Sequence, residues 1–102
     1  FGNIRAKDLM EKAKDALVVD AREAKDFEAG HFATAVNVNS EDPATIDAIL
    51  PDDKNTLIIT HCYSGNRSAV AAEYIASKGY TNVWNCLDGT KEVEYDFSKG
   101  DK

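Results

Sequence analysis

The sequence predicts an α/β fold, a central parallel sheet with helices on both faces. Segments of strand character alternate with segments of helical spacing along most of the chain. The strongest strand candidates, Ala16-Leu17-Val18-Val19 and Leu57-Ile58-Ile59, are continuous apolar runs, as expected of strands covered on both sides. The helical segments carry cap and stop residues at their ends.

The elements follow in order. Ile4–Lys14 sets Ala6, Leu9, Met10 and Ala13 on one helical face, with Asn3 as its cap. Ala16–Asp20 reads as a buried strand. Glu23–Ala29 is a short polar helix closed by Gly30. Ala35–Val38 is a second strand. Asp42-Pro43 pairs a capping carboxylate with proline at the first helical position, opening a helix with Ile46, Ile49 and Leu50 on one face. Thr56–His61 is the clearest strand and runs into the polar loop Cys62–Asn66. Arg67–Lys78 is a helix with Ala69, Ala72 and Ala76 aligned for close packing, and Lys78-Gly79 stops it. Asn82–Asn85 is the last strand. Trp84 and the alanine stripe read as core. One domain is expected over 1–102, its core spanning about 4–89, with 90–102 a helical or frayed tail.

The chain has 102 residues with 12 basic and 18 acidic side chains, so 12 − 18 gives a net charge of −6. Clustered cations able to displace counterions are missing, which argues against nucleic acid as a partner. No apolar run approaches the ~18 residues that span a membrane. No charged-then-apolar leader opens the chain, yet Phe1 is not a methionine, so removal of an upstream segment is expected. The compartment stays open between cytoplasm and, if a signal peptide was removed, periplasm. A monomer is expected.

Cys62 and Cys86 are the two cysteines. Together with His31 and His61 they show no zinc spacing, so no metal site is expected. Cys86 reads as core rather than as a resolving thiol for Cys62. His31 reads as a hydrogen bonder at a turn, and Asp20 and Arg22 as charges that brace the fold. His61 either finishes its strand or tunes Cys62.

The chemistry sits in His61-Cys62-Tyr63-Ser64-Gly65-Asn66-Arg67-Ser68. A cysteine leaves a buried strand, four residues follow, and Arg67 opens a helix. Such a loop aims backbone N–H groups and a helix N-terminus at the sulfur. Those donors and a nearby guanidinium favour the thiolate. Gly65 allows the loop to turn, and Ser64, Asn66 and Ser68 add groups that bond an anion or brace the loop. The pocket suits a sulfur that attacks or carries a small anionic group. Cys62 also sits at the carboxyl end of a strand, where parallel sheets bind ligands.

Several motifs in order resemble the rhodanese family of single-domain sulfurtransferases, from about Ile4 to Gly89. Asp20-Ala21-Arg22-Glu23 resembles the family's Asp-x-Arg segment, and Phe27-Glu28-Ala29-Gly30-His31-Phe32 its Glu-x-x-x-Gly-His-Ile stretch. Ala35–Val38 follows as in the family. Cys62–Ser68 is similar to the active-site loop, and Gly79-Tyr80-x-Asn82-Val83 to the segment after the next helix.

The resemblance implies a persulfide mechanism without metal or organic cofactor. Cys62 would take sulfur from a small anionic donor such as thiosulfate, and a thiol or protein acceptor would remove it. Cys62 and Arg67 would be catalytic, with Tyr63, Ser64, Gly65, Asn66 and Ser68 around the substrate. Related cysteine phosphatases and arsenate reductases share the His-Cys and Arg-Ser flanks but place five residues between Cys and Arg. Here there are four, which suits a sulfur better than a tetrahedral oxyanion. The remaining alternatives are a binding module without turnover and a sulfur carrier fed by a protein. Against the family pattern, Ala33-Thr34 replaces Pro-Gly, Asp88-Gly89 replaces Gly-Gly, and Val93 stands where a tryptophan is common. Tyr63 replaces a basic residue, which implies weaker affinity for thiosulfate.

Overall fold

A computed structural model describes residues 1–102. Its strands are β1 (Gly2–Ile4), β2 (Leu17–Asp20), β3 (Ala35–Asn37), β4 (Ile58–His61) and β5 (Val83–Cys86). Its helices are α1 (Ala6–Lys12), α2 (Ala24–Ala29), α3 (Pro43–Asp47) and α4 (Asn66–Ser77), with 3-10 turns at Ala13–Asp15 and Phe97–Gly100. The five strands are all parallel, in the order β1-β5-β4-β2-β3. No helix is long and apolar enough to cross a membrane.

Successive strand residues face opposite sides, so the sheet separates two apolar layers. Val19 and Ile58 pack with Ile46 after Asp42-Pro43 and with Ala71, Ala72 and Ile75 of α4. Val18 and Ile59 pack on the other side with Ala6, Leu9, Ala13 and Phe32. Asp42 caps α3 as its sequence predicts, its carboxylate accepting from the Ala44 amide at 3.2 Å. Gly79 closes α4 with φ +96°, the left-handed conformation that glycine adopts without strain.

Three expectations need correction. Asn3 is not a cap; it lies in β1 opposite Asn85, and α1 begins only after Arg5. Two carboxylates cap it instead: Asp8 accepts from the Arg5 amide at 3.3 Å, and Asp88, far along the chain, accepts from the Ala6 amide at 2.9 Å and pairs with the Arg5 guanidinium. The buried face of α4 is Ser68, Ala71, Ala72 and Ile75, leaving Ala69 and Ala76 on its flank. Trp84 is 37% exposed, because the short edge strand β1 offers it the bare backbone of Gly2 instead of a covering helix.

The stretch after Gly89 is helical only in its 3-10 turn Phe97–Gly100, and Val93 to Phe97 pack on the domain. Val93, Tyr95 and Phe97 are partly buried while Glu94 and Asp96 are exposed, the alternation of an extended segment. The three apolar side chains close the second layer, with Phe97 edge-on to Phe32 at 5.1 Å between ring centroids.

Candidate active site

The chain leaves β2 toward β3 on one side and β4 toward β5 on the other, so the strand order reverses between the carboxyl ends of β2 and β4. A cleft of about 360 Å³ opens there. It is lined by Cys62, Tyr63 and Ser64 from the loop after β4, by Arg67 from the first turn of α4, and by Arg22, Glu23, Lys25 and Asp26 after β2.

Cys62 is 1% exposed, and three groups converge on its sulfur. The Gly65 amide donates to Sγ at 3.0 Å and the Ser68 amide at 3.3 Å, while Ser68 Oγ lies 3.3 Å away. Gly65 makes this possible with φ +91°, and a Cβ there would stand 3.0 Å from the Leu87 carbonyl oxygen. The loop is tied from outside as well. The Thr90 amide donates to the Cys62 carbonyl at 3.1 Å and the Lys91 amide to the Tyr63 carbonyl at 2.9 Å. The two amide dipoles aimed at one sulfur stabilise negative charge on it without reorganisation, while the Ser68 hydroxyl accepts from the thiol.

The predicted loop residues divide by placement. Ser68 is buried and braces the sulfur, its hydroxyl accepting from Cys62 Sγ and donating to the Gly65 carbonyl at 3.2 Å. Tyr63 is 54% exposed, with the Lys91 ammonium 6.0 Å from its ring. Asn66 starts α4 at the exposed surface, outside the cleft lining. Arg67 is on the cleft wall, half exposed, with a guanidinium nitrogen 3.9 Å from Glu23 Oε1.

Behind the cleft lies a buried polar group. Arg22 Nε bridges both carboxylate oxygens of Asp20 at 3.0 and 3.1 Å, and its Nη2 donates to Asp20 at 2.8 Å and to the Gly30 carbonyl at 2.6 Å. This is the brace expected of the pair. His61 Nε2 is 3.5 Å from Asp20 Oδ2 without hydrogen-bond geometry, and neither ring nitrogen has a partner. Burial pushes the imidazole down to about 4; Asp20 opposes that shift and Arg22 adds to it. The ring sits among Phe32 and Tyr95, in the layer opposite Cys62. His31 bonds the Phe27 carbonyl at 2.7 Å and stacks on the Phe27 ring, as its turn position suggests.

Cys86 faces the second layer while Cys62 faces the first. Its thiol is pushed up by burial and lies 3.3 Å from the Tyr95 hydroxyl. Reasoning from sequence missed Glu23, Lys25 and Asp26 as cleft residues, and Gly89 to Lys91 as supports of the loop. The strand order would have signalled the first group, since the β2 and β4 ends meet only in that topology.

The model of the rhodanese-like domain matches residues 4–95. A thiosulfate sulfurtransferase GlpE of Pseudomonas fluorescens is 37% identical over 80% of this chain and 72% of its own length. The tRNA uridine(34) hydroxylase of Hamiltonella defensa is 34% identical over 84% of this chain, which spans only 25% of that protein. A rhodanese-related protein from Thermoplasma volcanium superposes with a TM-score of 0.77 at 28% identity, covering 94% of this chain and 96% of that one. With a cysteine loop at the sheet's switch point and the family model spanning most of its length, the chain belongs to the rhodanese-like domain family, whose members include thiosulfate sulfurtransferases.

Proposed function

We propose that the chain is a sulfurtransferase that carries sulfane sulfur from thiosulfate or a similar donor to a thiol or protein acceptor through a persulfide on Cys62. The observation that carries this reading is the convergence of the Gly65 and Ser68 amides on one buried sulfur at the floor of an open cleft. In the first step Cys62 Sγ attacks the outer sulfur of thiosulfate. A new S–S bond forms, the bond to the sulfonate sulfur breaks, and sulfite departs with its electron pair. An acceptor thiolate then takes the outer sulfur and returns Cys62 as thiolate.

Cys62 is the nucleophile and Arg67 the cation that meets the donor. Tyr63, Ser64, Gly65, Asn66 and Ser68 form the substrate loop, with the Gly65 and Ser68 amides aimed at the sulfur that carries the persulfide. The residues 1–102 act as one domain, as a monomer. The four-residue span from Cys62 to Arg67 supports a sulfur over a tetrahedral phosphate or arsenate. The similarity to thiosulfate sulfurtransferases supports the donor class.

The test is the intact mass of the reduced chain before and after thiosulfate, with cyanide added last. A gain of one sulfur that cyanide removes, absent in Cys62→Ser, is the expected result. No adduct with thiosulfate or polysulfide would sink the reading.

A further inference from the structure

The cleft around Cys62 contains three cations, and each is already engaged. Arg22 is buried against Asp20 and the Gly30 carbonyl. Lys25 Nζ is 3.5 Å from Glu23 Oε2, and Arg67 Nη2 is 3.9 Å from Glu23 Oε1. The lining therefore holds Arg22, Lys25 and Arg67 against Glu23 and Asp26, so 3 − 2 leaves one positive charge, which Asp20 behind Arg22 cancels. A cleft with no net positive charge gives no electrostatic advantage to a dianion.

Glu23 holds the central position in this balance. It is the N-cap of α2, where a carboxylate commonly turns back to the helix amides. Its side chain makes no such bond. Its two oxygens instead face the two cations on either side of the cleft, one from α2 itself and one from α4.

We infer that Glu23 sets donor selectivity by neutralising Arg67 and Lys25, so that the site discriminates against the dianion thiosulfate and favours sulfane-sulfur donors of lower charge, such as thiosulfonates and thiol-bound persulfides. The inference rests on the sulfurtransferase reading above and narrows its substrate class. The chemistry is the same for each donor. Cys62 Sγ bonds to the outer sulfur, and the leaving group departs with the electron pair as sulfite from thiosulfate or as benzenesulfinate from benzenethiosulfonate.

The experiment compares kcat/KM for thiosulfate, a dianion, with that for benzenethiosulfonate, a monoanion, in the native chain and in Glu23→Gln. The ratio of thiosulfate to benzenethiosulfonate should rise about three- to fivefold in Glu23→Gln, the size of effect an exposed charge exerts, and the rise should shrink with added salt. Glu28→Gln removes the same charge from the outer surface of α2 and should leave the ratio where it was. An unchanged or lower ratio in Glu23→Gln, with persulfide still forming, overturns the role of Glu23 and leaves sulfur transfer standing. An equal rise in Glu28→Gln overturns it too, by tracing the effect to net charge. A chain that takes sulfur from neither donor overturns the sulfurtransferase reading and this inference with it.

Discussion

Gly89 lies against the Tyr63 carbonyl so closely that a methyl group at Gly89 would stand 2.0 Å from that oxygen. The second residue of Asp88-Gly89 thus supports the cysteine loop from below, with Thr90 and Lys91 donating to the same stretch. Its φ is not in the left-handed region, so close approach alone demands glycine here. Gly89→Ala must push the loop away from its supports. We expect a stability loss of about 1–3 kcal/mol, as for overpacked sites. Persulfide formation should fall by a larger factor than stability explains, because the Gly65 and Ser68 amides lose their aim at Cys62. Denaturant unfolding alongside the mass assay tests this, and full activity in a destabilised Gly89→Ala would show that the loop tolerates the shift.

Arg67 is half exposed and loosely paired with Glu23, so its removal should barely affect the fold. Exposed pairs of this kind are worth about 0–1 kcal/mol. In Arg67→Ala, however, Glu23 loses one of its two cations and faces the incoming donor. The expected result is a drop of roughly tenfold in kcat/KM for thiosulfate, with a smaller drop for benzenethiosulfonate. Parallel losses in melting temperature and activity would assign Arg67 a structural role.

The parallel sheet was legible because its central strands carry unbroken apolar runs, and the loop because Cys62, Gly65, Arg67 and Ser68 fall within seven residues. What stayed hidden was set by contacts between distant segments. The Ala6 amide at the start of α1 is capped by Asp88, a residue no local pattern ties to it. β1 is three residues long and held only by β5, too short for any periodicity to register. Glu23 reaches Arg67 only because β2 and β4 are neighbours. The tail differs: Val93, Tyr95 and Phe97 alternate with Glu94 and Asp96, a two-residue period visible in the sequence but obscured by its polar composition.

Cys86 and Cys62 belong to opposite layers of the sheet, so they cannot form a disulfide without rotating a strand. Cys86→Ala should therefore keep its persulfide step, accepting one sulfur per chain like the native protein. Loss of the buried thiol and its contact with the Tyr95 hydroxyl should cost about 1 kcal/mol of stability. Mild oxidation of the native chain should leave no internal crosslink in the non-reduced mass. A mass two hydrogens lower, absent from Cys86→Ala, would contradict the layer assignment.

His61 couples stability to pH with a sign fixed by its burial. Its imidazole is held down to about 4 in the fold, whereas an unfolded histidine titrates near 6.5. Above pH 6.5 both states hold neutral imidazole and the group contributes no penalty. Between pH 6.5 and 4 the unfolded chain binds a proton that the folded chain refuses, so stability falls as pH falls, and below pH 4 the loss levels off. Lowering the pH from 7 to 5 should cost the native chain about 2 kcal/mol through this residue alone. In His61→Gln, which cannot titrate, that portion of the slope should disappear, whatever the substitution does to stability at pH 7. Urea unfolding of both chains at pH 7, 6 and 5 measures the difference. Equal slopes would mean that Asp20, 3.5 Å from Nε2, accommodates a protonated His61 in the fold as readily as water does in the unfolded chain.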